Sequence, residues 1–236
     1  MAVVLHTSAG DLPVLLHYQT CPQASFNFLA LCASGYYDGC AFYRHFPGIL
    51  LQSGDPTNTG KGGESIFAKL PPLAHAVNRG EGDDSVSREA ASVAAAGILP
   101  GRYFHDEGFG VTTSAHRGTL SMAHKGTKAD TNASQFFITL SPQPSFDGVY
   151  TAFGVVDLNG VYSASEAVVV AGDPIAMSGP DAVSDAAPKC GDAVLRALEE
   201  ASAEVDAKNF VQVASQARIT NVTVLYNPFA EGKMKL

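Results

Sequence analysis

The most prominent chemical pattern in the chain is a glycine-rich stretch with a lysine between residues 54 and 62. A phosphate-binding loop needs a glycine five residues before a Gly-Lys pair, and a Ser or Thr directly after the lysine. Gly60 and Lys61 supply the pair, but Asp55 occupies the position of the first glycine and Gly62 follows the lysine. Because two defining positions of so short a pattern are wrong, the stretch does not predict nucleotide binding.

Side chains for metal or nucleophilic chemistry are present, but not at the spacings that such sites use. The seven histidines include no HxxxH or HExxH pattern, and the sequence contains no GxSxG nucleophile elbow. The four cysteines form no CxxC pair, so we expect buried free thiols rather than a zinc site or disulfides. We therefore expect neither a metal ion nor a cofactor. The cysteines are Cys21, Cys32, Cys40 and Cys190.

Composition and charge exclude several classes of protein. The 236 residues are 46% hydrophobic and 16% charged, which is typical of a globular chain, and none is Trp. The formal net charge of -8 argues against direct binding of nucleic acid. The most apolar run, residues 167–171, is too short to cross a membrane, and residues 1–10 show no secretory signal. We therefore expect no membrane association, and a location in the cytoplasm, the nucleus or both.

The elements that could position functional side chains are mostly short β-strands. The sequence predicts a hairpin at the start, because β-rich residues 3–7 precede turn residues 8–11 and an alternating apolar run up to residue 16. Further short strands are separated by glycine-rich turns, and the last of them ends before Asn227-Pro228. These strands are predicted at residues 41–46, 49–52, 119–122, 135–140, 150–156 and 222–226.

Two segments have helical patterns. Thr20 can cap the first helix, Pro22 suits its first turn and Gly35 can end it. The second is predicted at residues 192–200 with Asp192 as its cap. Many short strands with two helices predict a mainly β fold, an antiparallel barrel closed at its ends by helices. The apolar face of the first helix would contain Phe26, Leu29, Ala30 and Ala33.

Two stretches fit this pattern poorly, at about residues 70–102 and 159–190. The first combines a Pro-Pro pair, an Asp/Glu/Ser-rich patch and an alanine-rich piece. The second is rich in Ala, Ser, Gly and Pro. Since segments of this composition belong on protein surfaces, we predict a single domain over residues 1–236 with these two stretches as surface insertions.

Several motifs, in order along the chain, resemble the signatures of the cyclophilins. They are FYRHFPGILLQSGDP at residues 42–56, GKGGESIF at 60–67, GTLSMA at 118–123, NASQFFIT at 132–139, FDG at 146–148 and FG at 153–154. The start Leu5-His6-Thr7 and the ending Asn227-Pro228-Phe229-Ala230 resemble the spliceosome-associated branch called peptidyl-prolyl isomerase-like 3. The resemblance implies an eight-stranded antiparallel barrel with an α-helix over each open end.

The same resemblance implies peptidyl-prolyl cis-trans isomerase (rotamase) activity on X-Pro bonds, which assists the folding of proteins or the remodelling of their complexes. The reaction rotates an amide against a barrier of about 18–20 kcal/mol and breaks no bond, so it needs no nucleophile or metal. By resemblance, Arg44 donates a hydrogen bond to the prolyl nitrogen, while the amide of Gln52 contacts a substrate carbonyl or holds Arg44. The implied substrate-binding residues are Ile49, Leu50, Ala123, His124, Phe137, Phe146 and Tyr150.

Some positions depart from the family pattern. Ile49 and Leu50 stand where most cyclophilins have Phe and Met, and Tyr150 replaces a pocket His. Ser145 replaces a Trp that typically bonds cyclosporin, so we expect weak cyclosporin binding. The departures leave a second function open, that of a non-catalytic proline-peptide binder acting as a scaffold in a spliceosomal assembly. For either function the expected partners are proline-containing segments, with spliceosomal proteins as further candidates, and we expect a monomer.

Overall fold

The computed structural model of the chain describes residues 1–69, 101–161 and 189–228. The predicted insertions at about residues 70–102 and 159–190 therefore lie almost wholly outside the described residues. Their outermost residues, 101–102, 159–161 and 189–190, are described. Gly101, Arg102, Gly160 and Cys190 hydrogen-bond to the rest of the fold, and Val161 bridges Cys190. The single-domain prediction for residues 1–236 stays a prediction.

The described part of the chain forms one antiparallel sheet of eight strands. Its spatial order is β3-β4-β6-β5-β7-β2-β1-β8. The two ends of this order approach each other, because the Phe42 N–H donates to the Ala217 carbonyl at 2.8 Å and the Ile219 N–H donates to the Cys40 carbonyl at 2.9 Å. The predicted mainly β fold with eight antiparallel strands is confirmed. The strands are β1 (Ala2–Thr7), β2 (Gly10–Leu16), β3 (Arg44–Phe46), β4 (Leu50–Ser53), β5 (Thr119–Met122), β6 (Phe136–Thr139), β7 (Ala152–Val156) and β8 (Ile219–Tyr226).

The two predicted helices are present as α1 (Pro22–Ala33) and α2 (Gly191–Ala201). Gly35 ends α1 as predicted, with a φ of 68° that suits glycine. Both predicted caps are wrong: the N-cap residues are Cys21 and Cys190, and neither makes a side-chain capping bond. Short 3₁₀ helices occur at Ile66–Lys69, Pro144–Phe146 and Val213–Ser215. Within the described ranges, no helix is long and apolar enough to cross a membrane.

The buried face of α1 differs from the predicted one. Ala33 is exposed and Ala30 only partly buried, whereas Ala24, Phe28 and Leu31 are buried. The helix contacts β7, β8 and the 3₁₀ helix Ile66–Lys69, so it is covered on more than one side. Because apolar residues occur around most of α1, its pattern alone could not select one face.

The hydrophobic core lies on one side of β4, β5 and β6. Alternate residues of β4, β5 and β6 are fully buried in it, together with the apolar residues of α1 and α2. The residues between them must project from the opposite, outer side of the sheet. The core residues of these three strands are Leu51, Leu120, Met122, Phe136 and Ile138.

Candidate active site

The predicted catalytic residues meet on the outer face of the sheet. Arg44 on β3 pairs with Gln52 on β4, and Gln52 pairs with Phe137 on β6. Directly paired residues project to the same face, so the three side chains lie side by side. The register is fixed by the opposite face, since a one-residue slip would turn the core residues of these strands outward.

The Arg44 guanidinium lies over two aromatic rings. Its Cζ is 4.8 Å from the ring centroid of Phe46 and 5.4 Å from that of Phe210. Contacts of this kind hold a guanidinium in place by cation–π attraction while its N–H groups stay available. The Arg44 Nε is buried, and the described residues offer it neither a hydrogen-bond partner nor an acidic side chain for an ion pair. Such an unpartnered buried donor is rare in proteins and calls for a functional explanation.

Gln52 is held by a small polar network. Its Nε2 donates to the Tyr43 hydroxyl at 2.6 Å and to Gln135 Oε1 at 3.0 Å, and the same hydroxyl donates to Gln135 Oε1 at 2.6 Å. Burial raises the pKa of Tyr43, which keeps the hydroxyl protonated and able to donate. Among the described residues, no hydrogen bond joins Gln52 to Arg44. Of its two predicted roles, holding Arg44 is therefore not seen in this structure.

Three of the predicted substrate-binding residues form an aromatic cluster beside Gln52. The rings of Phe137, Phe146 and Tyr150 pack edge to face, with centroids 5.2 to 5.5 Å apart. The ring of His124 lies 4.9 Å from Tyr150. Phe146 and Tyr150 remain partly exposed, so the cluster offers an apolar surface of a size that suits a proline ring.

His124 and Ala123 are positioned by bonds of their own. His124 Nε2 pairs with Asp106 Oδ1 at 2.7 Å, and its side chain is almost completely buried. Burial works against the ionised form of Asp106, but hydrogen bonds from His124, Asp130 and Asn132 outweigh it and lower the pKa of that carboxyl. The Ala123 N–H donates to the Gln135 carbonyl at 2.9 Å, which extends the β5–β6 pairing to the edge of the site.

The two aliphatic residues of the predicted site differ in position. Leu50 pairs with Phe46 and Thr139, is partly buried, and shares the outer face with Gln52 two residues later. Ile49 lies in the turn before β4, and 39% of its surface is exposed. The structure therefore places Leu50 within the site and Ile49 at its margin.

A cavity of about 410 Å³ adjoins this surface. Four predicted site residues line it: Arg44, Gln52, Ala123 and His124. Sequence reasoning did not assign Tyr43, Gln135 or Phe210 to the site. Tyr43 and Gln135 lie inside the quoted motifs and could have been found there. Phe210 belongs to no motif, and only the fold brings it to Arg44.

The family model described as "Cyclophilin type peptidyl-prolyl cis-trans isomerase/CLD" matches residues 2–169. The chain belongs to the cyclophilin family. Two relatives of this cyclophilin are named peptidyl-prolyl cis-trans isomerase-like 3, which agrees with the predicted branch. The protein from Gallus gallus is 40% identical over 156 residues, 66% of this chain and 75% of its own. The protein from Dictyostelium discoideum is 41% identical over 156 residues and the same shares of both chains.

A solved structure extends the comparison to the fold. The cyclophilin-type peptidyl-prolyl cis-trans isomerase of Cryptosporidium parvum, crystallised in the presence of the dipeptide Ala-Pro, is 30% identical to this cyclophilin. The likeness covers 96% of this chain and 100% of that one, with a TM-score of 0.62. Family and fold are thus the predicted ones.

The structure also shows how the Tyr150 ring packs within the site. Where the family pattern has His, the Tyr150 ring packs between Phe137, Phe146 and His124. The substitution therefore keeps an aromatic wall. Ser145 is exposed within the 3₁₀ helix Pro144–Phe146 and adds no apolar area to the cluster.

Proposed function

We propose that this cyclophilin catalyses cis-trans rotation about X-Pro peptide bonds, with Arg44 as the hydrogen-bond donor and the ring cluster of Phe137, Phe146 and Tyr150 as the proline site. The observation that carries the proposal is the buried, unpartnered Nε of Arg44 on the same face as that cluster. An arginine that served only in a surface ion pair would instead be matched by an acid.

The chemistry follows from what happens to an amide as it twists. Conjugation is lost, and the nitrogen regains a lone pair that can accept a hydrogen bond. A guanidinium aimed at this nitrogen bonds the twisted state better than the planar ground state, so it lowers the barrier. The ring cluster holds the proline, while the flanking chain remains free to rotate.

The network around Gln52 supports this geometry. Tyr43 and Gln135 fix the Gln52 amide on the strand next to Arg44, so a polar group faces the substrate backbone without rearrangement. Preorganised dipoles of this kind avoid the cost of reorientation during the reaction. Both hydrogens of the Gln52 Nε2 are donated to Tyr43 and Gln135, so a bond to a substrate carbonyl would require one of these bonds to break. In this proposal the Gln52 Oε1 instead accepts an N–H of the substrate backbone, and Tyr43 and Gln135 are positioning residues.

The test is Arg44→Ala. We expect kcat/KM on X-Pro peptides, measured by NMR exchange, to fall by about two to three orders of magnitude, or about 3–4 kcal/mol of transition-state stabilisation. Peptide binding should fall much less, because the ring cluster remains. Arg44→Lys should restore only part of the rate, since an ammonium lacks the planar surface that lies over the rings of Phe46 and Phe210.

Arg196→Gln is the matched control, because Arg196 is exposed on α2 and pairs with Asp192. It should leave turnover unchanged. A parent with normal turnover that Arg44→Ala does not reduce would contradict the mechanism. A parent that binds peptides without turnover would favour the scaffold function instead.

We also propose that the protein acts in the cytoplasm or nucleus with spliceosomal proteins as partners. What supports this is the likeness to the isomerase-like 3 branch, at 40% identity over 156 residues for the Gallus gallus relative. Affinity purification of the tagged full chain from nuclear extract should recover spliceosomal proteins. Their absence, with other proline-rich clients recovered, would contradict the assignment.

A further inference from the structure

The cavity beside Arg44 is strongly cationic. Besides Arg44 it is lined by Lys61, Arg102 and Lys125, and none of the described lining residues is Asp or Glu. This contrasts with the chain as a whole, whose formal net charge is -8. Positive charge is therefore concentrated where the proposed substrate would lie.

The cations are not neutralised within the described part of the protein. Lys61 and Lys125 are exposed, and neither belongs to any of its ion pairs. Arg102 donates from Nε to the Gly63 carbonyl at 2.8 Å and from Nη2 to the Lys61 carbonyl at 3.0 Å. Carbonyls are uncharged, so these bonds fix the guanidinium and leave its full positive charge.

Two carboxylates that contact residues of the cavity lining are engaged in other bonds. Asp55 accepts the N–H groups of Thr57 and Gly62, at 2.8 and 3.1 Å, within its own turn. Asp106 pairs with His124 on the buried side of the site. Neither carboxylate lines the cavity. A cleft lined by one sign of charge focuses its field and attracts the opposite charge from solution.

The cavity is continuous with the proposed active site, since Arg44, Gln52, Ala123 and His124 line both. An extended peptide rises about 3.3 Å per residue, so residues close to the bound proline fall within reach of the cavity. We propose that it binds an acidic side chain, Asp or Glu, located one to three residues from the proline of the substrate. This inference rests on the proposed function and adds a substrate preference to it.

The experiment is a series of otherwise identical Xaa-Pro peptides with Glu, Gln or Lys at each position from three residues before the proline to three after it. At one or two of these positions, we expect Glu to raise kcat/KM over Gln by about threefold to tenfold at low ionic strength, and Lys to lower it. The preference should shrink in about 0.5 M NaCl, where the Debye length is only a few ångströms. A Glu-to-Gln ratio near one at every position would overturn the inference.

Variants then locate the effect. Lys61→Gln and Lys125→Gln should each lower the Glu-to-Gln ratio, and the double variant should bring it close to one. Lys189→Gln is the matched control, because Lys189 is exposed and outside the cavity lining, and it should keep the parent ratio. A preference that the double variant leaves intact would assign it to another surface and overturn the inference.

Binding of the same fluorescent peptides, followed by anisotropy, separates the two proposals. If all peptides turn over and Glu gives no higher kcat/KM than Gln, the isomerase activity is supported and the preference for an acidic side chain is refuted. A Glu preference in binding without any turnover refutes the isomerase activity and supports the acidic site. The anisotropy measurement needs no catalysis, so the inference is tested in either case.

Discussion

A single hydroxyl group connects the residues around Gln52. Tyr43 accepts a hydrogen bond from Gln52 and donates one to Gln135, a residue 92 positions further along the chain. Tyr43 is fully buried, and it lines the cavity beside Arg44 and Gln52. Polar networks of this kind hold a side chain in one geometry only while every member keeps its partners.

Tyr43→Phe removes this hydroxyl while keeping the ring. We expect kcat/KM to fall by about tenfold, because the Gln52 amide loses its shorter bond, and the free energy of unfolding to fall by about 1 kcal/mol. NMR exchange and urea denaturation measure the two effects. Tyr18→Phe is the control, since no hydrogen bond is described for its hydroxyl. Unchanged turnover in Tyr43→Phe would show that the network does not position the site.

Ser145 determines the predicted response to cyclosporin. It cannot supply an indole N–H or cover the area of a Trp, so we expect affinity to be a few kcal/mol weaker than for a cyclophilin with Trp at this position. Ser145→Trp should strengthen binding in calorimetric titration, whereas Ser145→Ala should not. Tight binding by the parent protein would contradict this prediction.

At the residue scale, the motifs led sequence reasoning to part of the candidate site, while Tyr43 and Gln135 were missed although they lie inside the motifs. Arg44, Gln52 and Phe137 lie in short blocks whose order is distinctive, and the sheet register brings them together. Phe210 was missed because its contact with Arg44 depends on how the segment after α2 returns to β3. The bonding of Gln52 to Tyr43 was missed for a similar reason: several partners were compatible with the sequence, and only packing selects among them.

At the scale of elements, the start of α1 is held by a distant carboxyl group rather than by a local cap. Glu107 Oε1 accepts the Ala24 N–H at 2.6 Å, which replaces the bond expected from Thr20. Burial raises the pKa of Glu107 to about 7, although backbone N–H groups of Ala24 and Gln23 oppose this rise. Burial, with the nearby Glu107 charge, also raises the pKa of Cys21 to about 11.

This carboxyl predicts a distinct pH dependence of stability. A Glu is expected to titrate near pH 4.3 when unfolded and titrates near 7 here, so its stabilising contribution is complete below about pH 4.3 and is lost as pH rises through about 7. Glu107→Gln keeps an acceptor but does not titrate. Urea denaturation at pH 5, 6, 7 and 8 should therefore show the parent losing stability relative to the variant.

The comparison with Glu107→Gln isolates this group, because all other titrations are common to both proteins. The pKa values of Asp55, Asp106 and Asp192 lie below the usual range for Asp, so these carboxyl groups change their protonation below the pH range of this experiment. A difference in unfolding free energy between parent and variant that stays constant from pH 5 to 8 would show that the pKa of Glu107 is not raised.

At the scale of the whole molecule, the sheet was more predictable than the helix packing. Every predicted strand run contains or overlaps an observed strand, because alternating residues and glycine-rich turns mark strands locally. The face of α1 was wrong because a helix contacted on several sides carries no single apolar stripe. Closure of the sheet between residues 40–42 and 217–219 could be expected only from the family resemblance, since no local signal encodes so distant a pairing.

The two predicted insertions leave and rejoin the fold at hydrogen-bonded points. The Gly101 N–H donates to the Phe67 carbonyl at 3.4 Å, and the Ser65 N–H donates to the Arg102 carbonyl at 3.0 Å. On the other side, Val161 bridges Cys190, and the Gly191 N–H donates to the Gly160 carbonyl at 3.0 Å. The chain therefore returns close to where it left in both places, so a short linker can span either gap.

Replacing residues 70–100, or residues 162–188, by a short Gly-Ser linker should leave one cooperative domain with its turnover intact. The shorter loop costs less closure entropy, by about 1–2 kcal/mol, and the hydrogen bonds at its ends remain. Because the chain has no Trp, urea unfolding should be followed by tyrosine fluorescence and by far-UV circular dichroism, with coincident transitions expected. Separate transitions, or loss of cooperative unfolding in either deletion, would show that the replaced segment is part of the folded core. The prediction of a single domain with that segment as a surface insertion would then be wrong.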